Sequence, residues 1–340
     1  MSPDHKLPLL KSEKSLNTAV LRLLKLHGVA ASAVYPMLAI EQQYYVVDPT
    51  FLGEPVLKEP TPAFMKEVEE AISTLGIFVK AYPNTVVLPF EKASLAMEHH
   101  LQLMEVMQKL AIKHDLACLF SEKPFKKMPG LEKRIGWSLI TDTGLNLLEQ
   151  NGPVSRILCG AIKQGAFEHA DLLWASVASR GNDLRLKELE GKNLLVFSGS
   201  KVEFLAAGVS SHLDSFALLM NAIVADSLQL ILDEGKEPTF SQDPFFLKGN
   251  YKKSPYAFKE WIHKKSIRVL DGILTEAELL KRYEIFLEEY VTIASREVAS
   301  FKASVALTEI KKIFSQMNDL GPEAKAKVFC ELILPRMDQL

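Results

Sequence analysis

The alternation of apolar and polar positions divides this chain into short strands and longer helices. In residues 16–27, Leu16, Val20, Leu21, Leu23 and Leu24 recur near helical spacing, with Ser15 as the expected N-cap and Gly28 as the stop. Residues 37–48 are rich in β-formers and predict a strand on which Glu41, Gln43 and Tyr45 share one face. Thr61-Pro62 opens a helix that Gly76 ends, and residues 77–81 predict a strand. Residues 92–114 predict a long helix, with Leu95, Leu101, Met104, Met107, Leu110 and Ala111 toward the core. A strand at 116–120 feeds a basic, turn-rich loop around Pro129-Gly130. Ile135, Trp137 and Leu139 then alternate with Gly136, Ser138 and Ile140 as a half-buried strand would, before the turn Thr141-Asp142-Thr143-Gly144. A helix at 154–169, two strands around Ser198-Gly199-Ser200 and a helix at 213–233 follow. A loop with several aromatics spans 238–254. Helical segments start at Pro255, at the capping box Thr275-Glu276-Ala277-Glu278 and after Pro322, with Pro335 ending or kinking the last.

Composition narrows the classes. With 340 residues, 48% hydrophobic and 24% charged, the chain is globular and long enough to bury a sizeable core. A net charge of −2 gives no electrostatic case for nucleic acid or an anionic membrane as partner. Cys118, Cys159 and Cys330 lie far apart in apolar surroundings and read as buried free thiols of a reducing compartment. The N-terminal stretch lacks an apolar signal core, and no run reaches 18 apolar residues, so a soluble cytoplasmic protein is expected.

Candidate chemistry gathers on the strands. Carboxylates at i and i+2 point into one pocket and can hold a divalent cation. Glu41 has such a neighbour in Gln43, a neutral and weaker donor, and Glu41 reads equally as a solvated or hydrogen-bonded strand residue. His99 and His100 diverge by about 100° around a helix, which argues against a shared ion and for ordinary helix surface. Glu203, Leu205 and Ala207 share a strand face. The loop before Ile135 is where a site would sit, with a plain surface loop as the alternative.

Several motifs, in order, resemble the type III glutamine synthetases. Lys123-Pro124-Phe125, then W-S-L-x-T-D-T-G-x-N-L-L-E from Trp137, match that family's frame around a loop reading roughly G-V-N-G-S-G-K-H-N-N. Gln102–Met107, HADLLWASVASRGNDLRL, Asn221-Ala222-Ile223-Val224-Ala225 and Gly272–Tyr290 are similar to further family segments, so the likeness runs from about Leu7 to Tyr290. It implies a large α/β (α+β) catalytic domain: a curved, mainly antiparallel sheet forming a half-barrel, with helices outside. We expect this domain over 1–240, with a mostly helical C-terminal region, 241–340, packed on it. Because the likeness begins at Leu7, the family's N-terminal β-grasp domain is expected to be absent.

The resemblance also assigns roles. The family joins ammonia to the glutamate γ-carboxylate through a γ-glutamyl phosphate, using ATP and Mg²⁺ or Mn²⁺. Its E-Q-E-Y-F motif stands here as Glu41-Gln42-Gln43-Tyr44-Tyr45, so the second carboxylate is an amide. Its metal-binding His falls on Arg134, and one metal-binding Glu falls on Thr85 of Asn84-Thr85-Val86. Another Glu falls in a gap of about seven residues. In N-K-F-E-F-R-A-V-G the Glu matches Glu203, but the phosphate-binding Arg is Leu205. Glu41 and Glu203 are thus remnant metal positions, and Gln43, Thr85, Arg134 and Leu205 mark a degenerate site. Asn182, Asp183 and Arg185 match a remnant substrate region. Removing one phosphate clamp costs about 10²–10³ in rate. Losing most of a metal shell should abolish a reaction that depends on it. The expectation is a catalytically silent relative acting as a binding or interaction module, with no cofactor, as a homo-oligomer or with a full-length glutamine synthetase relative. The alternative is an active ATP-dependent ligase with a rearranged metal site. Arg134 is expected to point inward between Glu41 and Glu203, replacing a divalent ion by an ion pair.

Overall fold

The two-residue alternation builds an open, seven-stranded antiparallel sheet. The computed structural model describes residues 3–48, 57–120, 124, 128–149, 151–170, 173, 191–207, 213–235, 246–248, 269, 272–273, 306–307, 309–317 and 322–333. The large sheet contains β1 (Val34–Gln43), β4 (Lys80–Tyr82), β5 (Thr85–Lys92), β7 (Glu132–Thr141), β8 (Asn193–Phe197), β9 (Val202–Ala207) and β10 (Phe246–Lys248). Their order is β10-β8-β9-β7-β1-β5-β4. A smaller antiparallel sheet, ordered β3-β2-β6, joins β2 (Tyr45–Val47), β3 (Leu57–Lys58) and β6 (Ala117–Leu119).

One face of the large sheet is packed. Leu38 and Ile40 of β1, Ile135, Trp137 and Leu139 of β7, and Val202 and Phe204 of β9 are buried there. Helices α1 (Pro3–Leu26) and α3 (Ala93–Lys113) lie against the sheet. Helix α5 (Leu213–Glu234) packs on α1 and on α4 (Pro153–Glu168). Its residues from Phe216 to Glu234 are apolar enough to cross a membrane by length and composition, but most of that surface is buried inside the protein, as in a core helix. Helix α2 (Pro62–Ser73) begins as its sequence predicts, with the Thr61 hydroxyl accepting from the Phe64 N–H at 3.2 Å and Gly76 at φ +75 beyond its end. Helix α6 (Pro322–Val328) continues into a π-helical stretch, Phe329–Ile333.

The structure revises several boundaries. Helix α1 starts at Pro3, so Ser15 lies inside it and caps nothing. The apolar stripe continues upstream through Leu9, and buried Ser12 returns its hydroxyl to the Leu9 carbonyl at 2.7 Å. The expected strand at 37–48 is two strands in different sheets. The chain breaks at Tyr44, whose N–H bonds the Asn84 carbonyl at 3.0 Å and whose hydroxyl donates to the Tyr82 carbonyl at 2.6 Å. Burial raises the Tyr44 hydroxyl pKa, with a smaller contribution from Cys118. Residues 246–248 form a strand on β8 where a loop was expected.

Helix α3 buries Met107 and Ala111 as expected, and Met104 and Leu110 pack against the core, but its first half turns a different face inward. Its buried stripe runs Ala93, Ala96, Met97, His100, Leu103, Met107, Ala111, while Leu95 is 43% exposed. His100 is therefore core, not surface. His99 is also mostly covered, with its Nδ1 2.7 Å from Glu91 Oε2.

Val269 and Ile273 belong to the main core, whereas Ile310, Met317 and Ile333 form a separate small cluster. Lys311 pairs with Asp115, which stands at φ +59 after α3. The predicted segments from Pro255 and Thr275, and Pro335, lie outside the described residues.

Candidate functional site

The face of the large sheet opposite the helices carries the candidate residues, and register fixes their order. Glu41 pairs with Arg134 on one side and Val87 on the other, and Arg134 pairs with Leu205. One cross-strand row therefore reads Leu205–Arg134–Glu41–Val87. In the next row, Glu203 pairs with Gly136 and Gly136 with Ala39. Beyond the first row, Gln43 pairs with Thr85, and the Gln43 side-chain carbonyl accepts the Glu132 N–H at 2.9 Å. The sheet thus brings Glu41, Gln43, Thr85, Arg134, Glu203 and Leu205 onto one surface. Asn182, Asp183 and Arg185 lie outside the described residues.

A bulge completes the surface. The β1–β5 register shifts between Leu38 and Ile40, so Pro89 and Phe90 together face Ala39. Proline lacks the N–H that a regular ladder would use there, and the extra residue re-aims its neighbour. Phe90 swings over β7: a Cβ placed on Gly136 would lie 3.1 Å from its Cζ. Strand β7 is consequently buried on both faces at its centre, not half-buried as the alternation predicts. Ser138 contributes too, with its Oγ 3.1 Å from Asn146 Oδ1 and 3.0 Å from the Ser200 carbonyl.

The charges on this face pair off locally. Lys192 Nζ lies 2.5 Å from Glu132 Oε1, and Lys201 Nζ lies 2.6 Å from Glu203 Oε1. Arg134 makes a longer, 3.5 Å contact to the other Glu132 oxygen, and its side chain is 56% exposed. The expected bridge from Arg134 to Glu41 and Glu203 is not formed. A strand residue leans perpendicular to its sheet, and Glu132, two positions along the same face, already offers a carboxylate. Glu41 is exposed, and among the described residues its carboxylate has no hydrogen-bond or ion-pair partner. Among the described residues, no three His, Cys, Asp or Glu side chains gather in a metal-ligating group.

Sequence reasoning missed the polar cluster behind this surface. Gln42 and Lys133 are cross-strand neighbours on the packed face, and both are buried, as is His100. His100 Nε2 lies 3.2 Å from Gln42 Oε1. Burial, then the charge of Lys133, push the His100 pKa well below its usual value. The signal was available, because Gln42 and Lys133 alternate with Glu41 and Arg134 and must point the other way.

No protein-family profile matches the chain. Its sequence is 30% identical over 324 residues to the type-3 glutamine synthetase of Dictyostelium discoideum, an alignment covering 68% of this chain and 44% of that protein. It is 33% identical over 219 residues to the glutamine synthetase of Butyrivibrio fibrisolvens, covering 52% of this chain and 31% of that one.

The chain is similar in sequence to type III glutamine synthetase over about two-thirds of its own length.

It spans less than half the length of these curated glutamine synthetases. Solved structures show the same glutamine synthetase fold: Plasmodium falciparum glutamine synthetase aligns with TM-score 0.59 and 12% identity over 85% of this chain and 77% of its own. A glutamine synthase homologue aligns with TM-score 0.54 and 15% identity over 83% and 71%.

Proposed function

We propose that this chain is a glutamine synthetase-fold protein that no longer transfers phosphoryl groups and serves as a binding or interaction module. The observation that carries this reading is the local neutralisation of the acids on the open face by Lys192 and Lys201. Holding the two or three divalent ions of the family reaction requires clustered, uncompensated oxygen donors. Here Glu203 faces a lysine, Gln43 spends its carbonyl on the backbone, and Arg134 adds a positive charge beside Glu41. These residues do not fit a bound pair of Mg²⁺ or Mn²⁺ ions. Glu41 and Glu203 are remnants of metal positions in this reading, and Gln43, Thr85, Arg134 and Leu205 are the substituted ones. Residues 1–240 supply the module and 241–340 a helical region on it. A cytoplasmic protein that assembles with itself or with a full-length glutamine synthetase fits the same reading.

The sequence identity to proteins named glutamine synthetase favours the second reading, an active ATP-dependent ligase with a rearranged site. ADP release by the purified full chain, with ATP, glutamate, ammonia and Mg²⁺ or Mn²⁺, separates the two. The module releases no glutamate-dependent ADP above background. Turnover that needs both glutamate and metal establishes the ligase instead.

A further inference from the structure

Among the described residues the large sheet ends at β4, which has a strand on one side only. Lys80 and Tyr82 sit opposite Val87 and Thr85 of β5, and the Ala81 N–H between them points outward, where a further strand would bond it. Helix α2 supplies the acceptor instead: Glu69 Oε1 receives that N–H at 2.9 Å. Exposed apolar side chains flank the contact, with Leu75 and Phe78 just before the strand, Phe78 at 75%, and Tyr82 within it. The edge is also complementary to itself. Two copies related by a twofold axis at Ala81 would exchange the Ala81 N–H and carbonyl in both directions. Lys80 of each copy would then face Tyr82 of the other, at a Cβ separation of about 4.5–5.5 Å that suits a cation–π contact. Lys80 Nζ already lies 5.9 Å from the centre of its own Tyr82 ring. Pro83 has no N–H, so such a ladder stays short and one blocked hydrogen bond weighs heavily in it.

We propose that Glu69 is a latch that closes the β4 edge against a second copy of this chain, and that freeing the Ala81 N–H lets two copies join antiparallel through β4. The occupant is a second copy because the twofold arrangement makes each contact twice, which a short unrelated strand does not match. The latch is the hydrogen bond and not the charge, so an amide in place of the Glu69 carboxylate keeps it closed. Opening makes no covalent bond and consumes no cofactor, and it is independent of whether the protein turns over a substrate.

Sedimentation equilibrium of the full chain tests this with E69A, E69Q and E69A/A81P. E69A should self-associate at least about tenfold more tightly than the wild type, a gain of about 1.4 kcal/mol. E69Q keeps an acceptor and should match the wild type. Proline at Ala81 removes only the outward N–H, which the β4–β5 ladder does not use, so E69A/A81P should return to the wild-type state. Hydrogen exchange gives a second reading that needs no proline: the Ala81 amide of E69A should exchange more slowly as protein concentration rises. Equal self-association of E69A and the wild type overturns the proposal. So does association that persists in E69A/A81P, E69Q associating like E69A, or an Ala81 amide in E69A whose exchange is indifferent to concentration.

Discussion

The indole N–H of Trp137 donates to the side-chain carbonyl of Asn221 at 3.0 Å, joining the centre of β7 to helix α5. Both residues are fully buried, and the Asn221 amide continues to the Ser12 hydroxyl of α1 at 3.2 Å. Two sequence motifs 84 positions apart thus meet in one hydrogen-bonded chain through an apolar core. Leucine at Asn221 would leave the indole N–H without its acceptor, at about 1–3 kcal/mol. N221L should lower the unfolding free energy by that amount, read as a lower urea midpoint with the slope unchanged, and W137F should cost less in the N221L background than in the wild type.

Helices α4 and α5 touch at Gly165. A Cβ there would lie 2.4 Å from Ile223 Cγ2, 2.7 Å from Ser227 Oγ and 3.2 Å from the Ile223 carbonyl. Alanine normally favours a helix interior over glycine by about 1 kcal/mol. Overpacking costs about 1–3 kcal/mol, and the nearby backbone carbonyl limits relief by side-chain motion alone. G165A should therefore be destabilising in chemical denaturation. Part of the loss should be recovered in G165A combined with I223A, measured against I223A alone.

The fold was legible where local pattern and tertiary environment agree. Thr61-Pro62 and Gly76 bracket α2 because capping chemistry is local, and the strand pair around Gly199 follows from its turn, where that glycine stands at φ +88. The second half of α3 was legible, where Met104, Met107, Leu110 and Ala111 meet the core, but the first half was not: Leu95 is exposed, and the buried face there contains His100, whose polarity Gln42 accommodates. The division of β1 from β2 depends on Asn84 and Tyr82, which reach Tyr44 from some forty positions away. At the site, alternation placed Glu203 and Leu205 on one face and Glu41 and Gln43 on one face. The lysines beside the acids escaped notice: Lys201 is a sequence neighbour whose direction depends on the turn, and Lys192 arrives from before β8. Arg134 went to the acid on its own strand because intrastrand neighbours compete with cross-strand ones for the same guanidinium.

Local neutralisation has a direct consequence for metal affinity. Restoring a second carboxylate and an imidazole with Q43E/R134H, while removing the competing lysine with K201Q, returns uncompensated donors to one face. The triple variant should bind Mn²⁺ at least about tenfold more tightly than the wild type by electron paramagnetic resonance titration, since each added anionic or imidazole donor favours the ion. Equal Mn²⁺ affinity in the two proteins would contradict the proposed loss of the site by charge pairing.

His100 gives the protein a pH-dependent stability with a definite sign. Its imidazole is fully buried and held neutral, with Lys133 of β7 disfavouring a second positive charge nearby. Its pKa is lowered in the folded state, so below the ordinary histidine value of about 6.5 the unfolded chain takes up a proton that the folded chain refuses. Stability is then lost as pH falls from about 6.5 toward the folded value, by at most about 1.4 kcal/mol per pH unit from this residue. Other histidines are present, with His99 and His114 in contact with Glu91 and Glu67, so the comparison must be differential. H100Q keeps a polar group facing Gln42 but cannot titrate. Urea denaturation at pH 7.5, 6.5 and 5.5 should show the wild type losing about 1 kcal/mol more than H100Q between the two ends. Parallel pH profiles for the two proteins would mean that His100 accepts its proton in the folded state as readily as in the unfolded one.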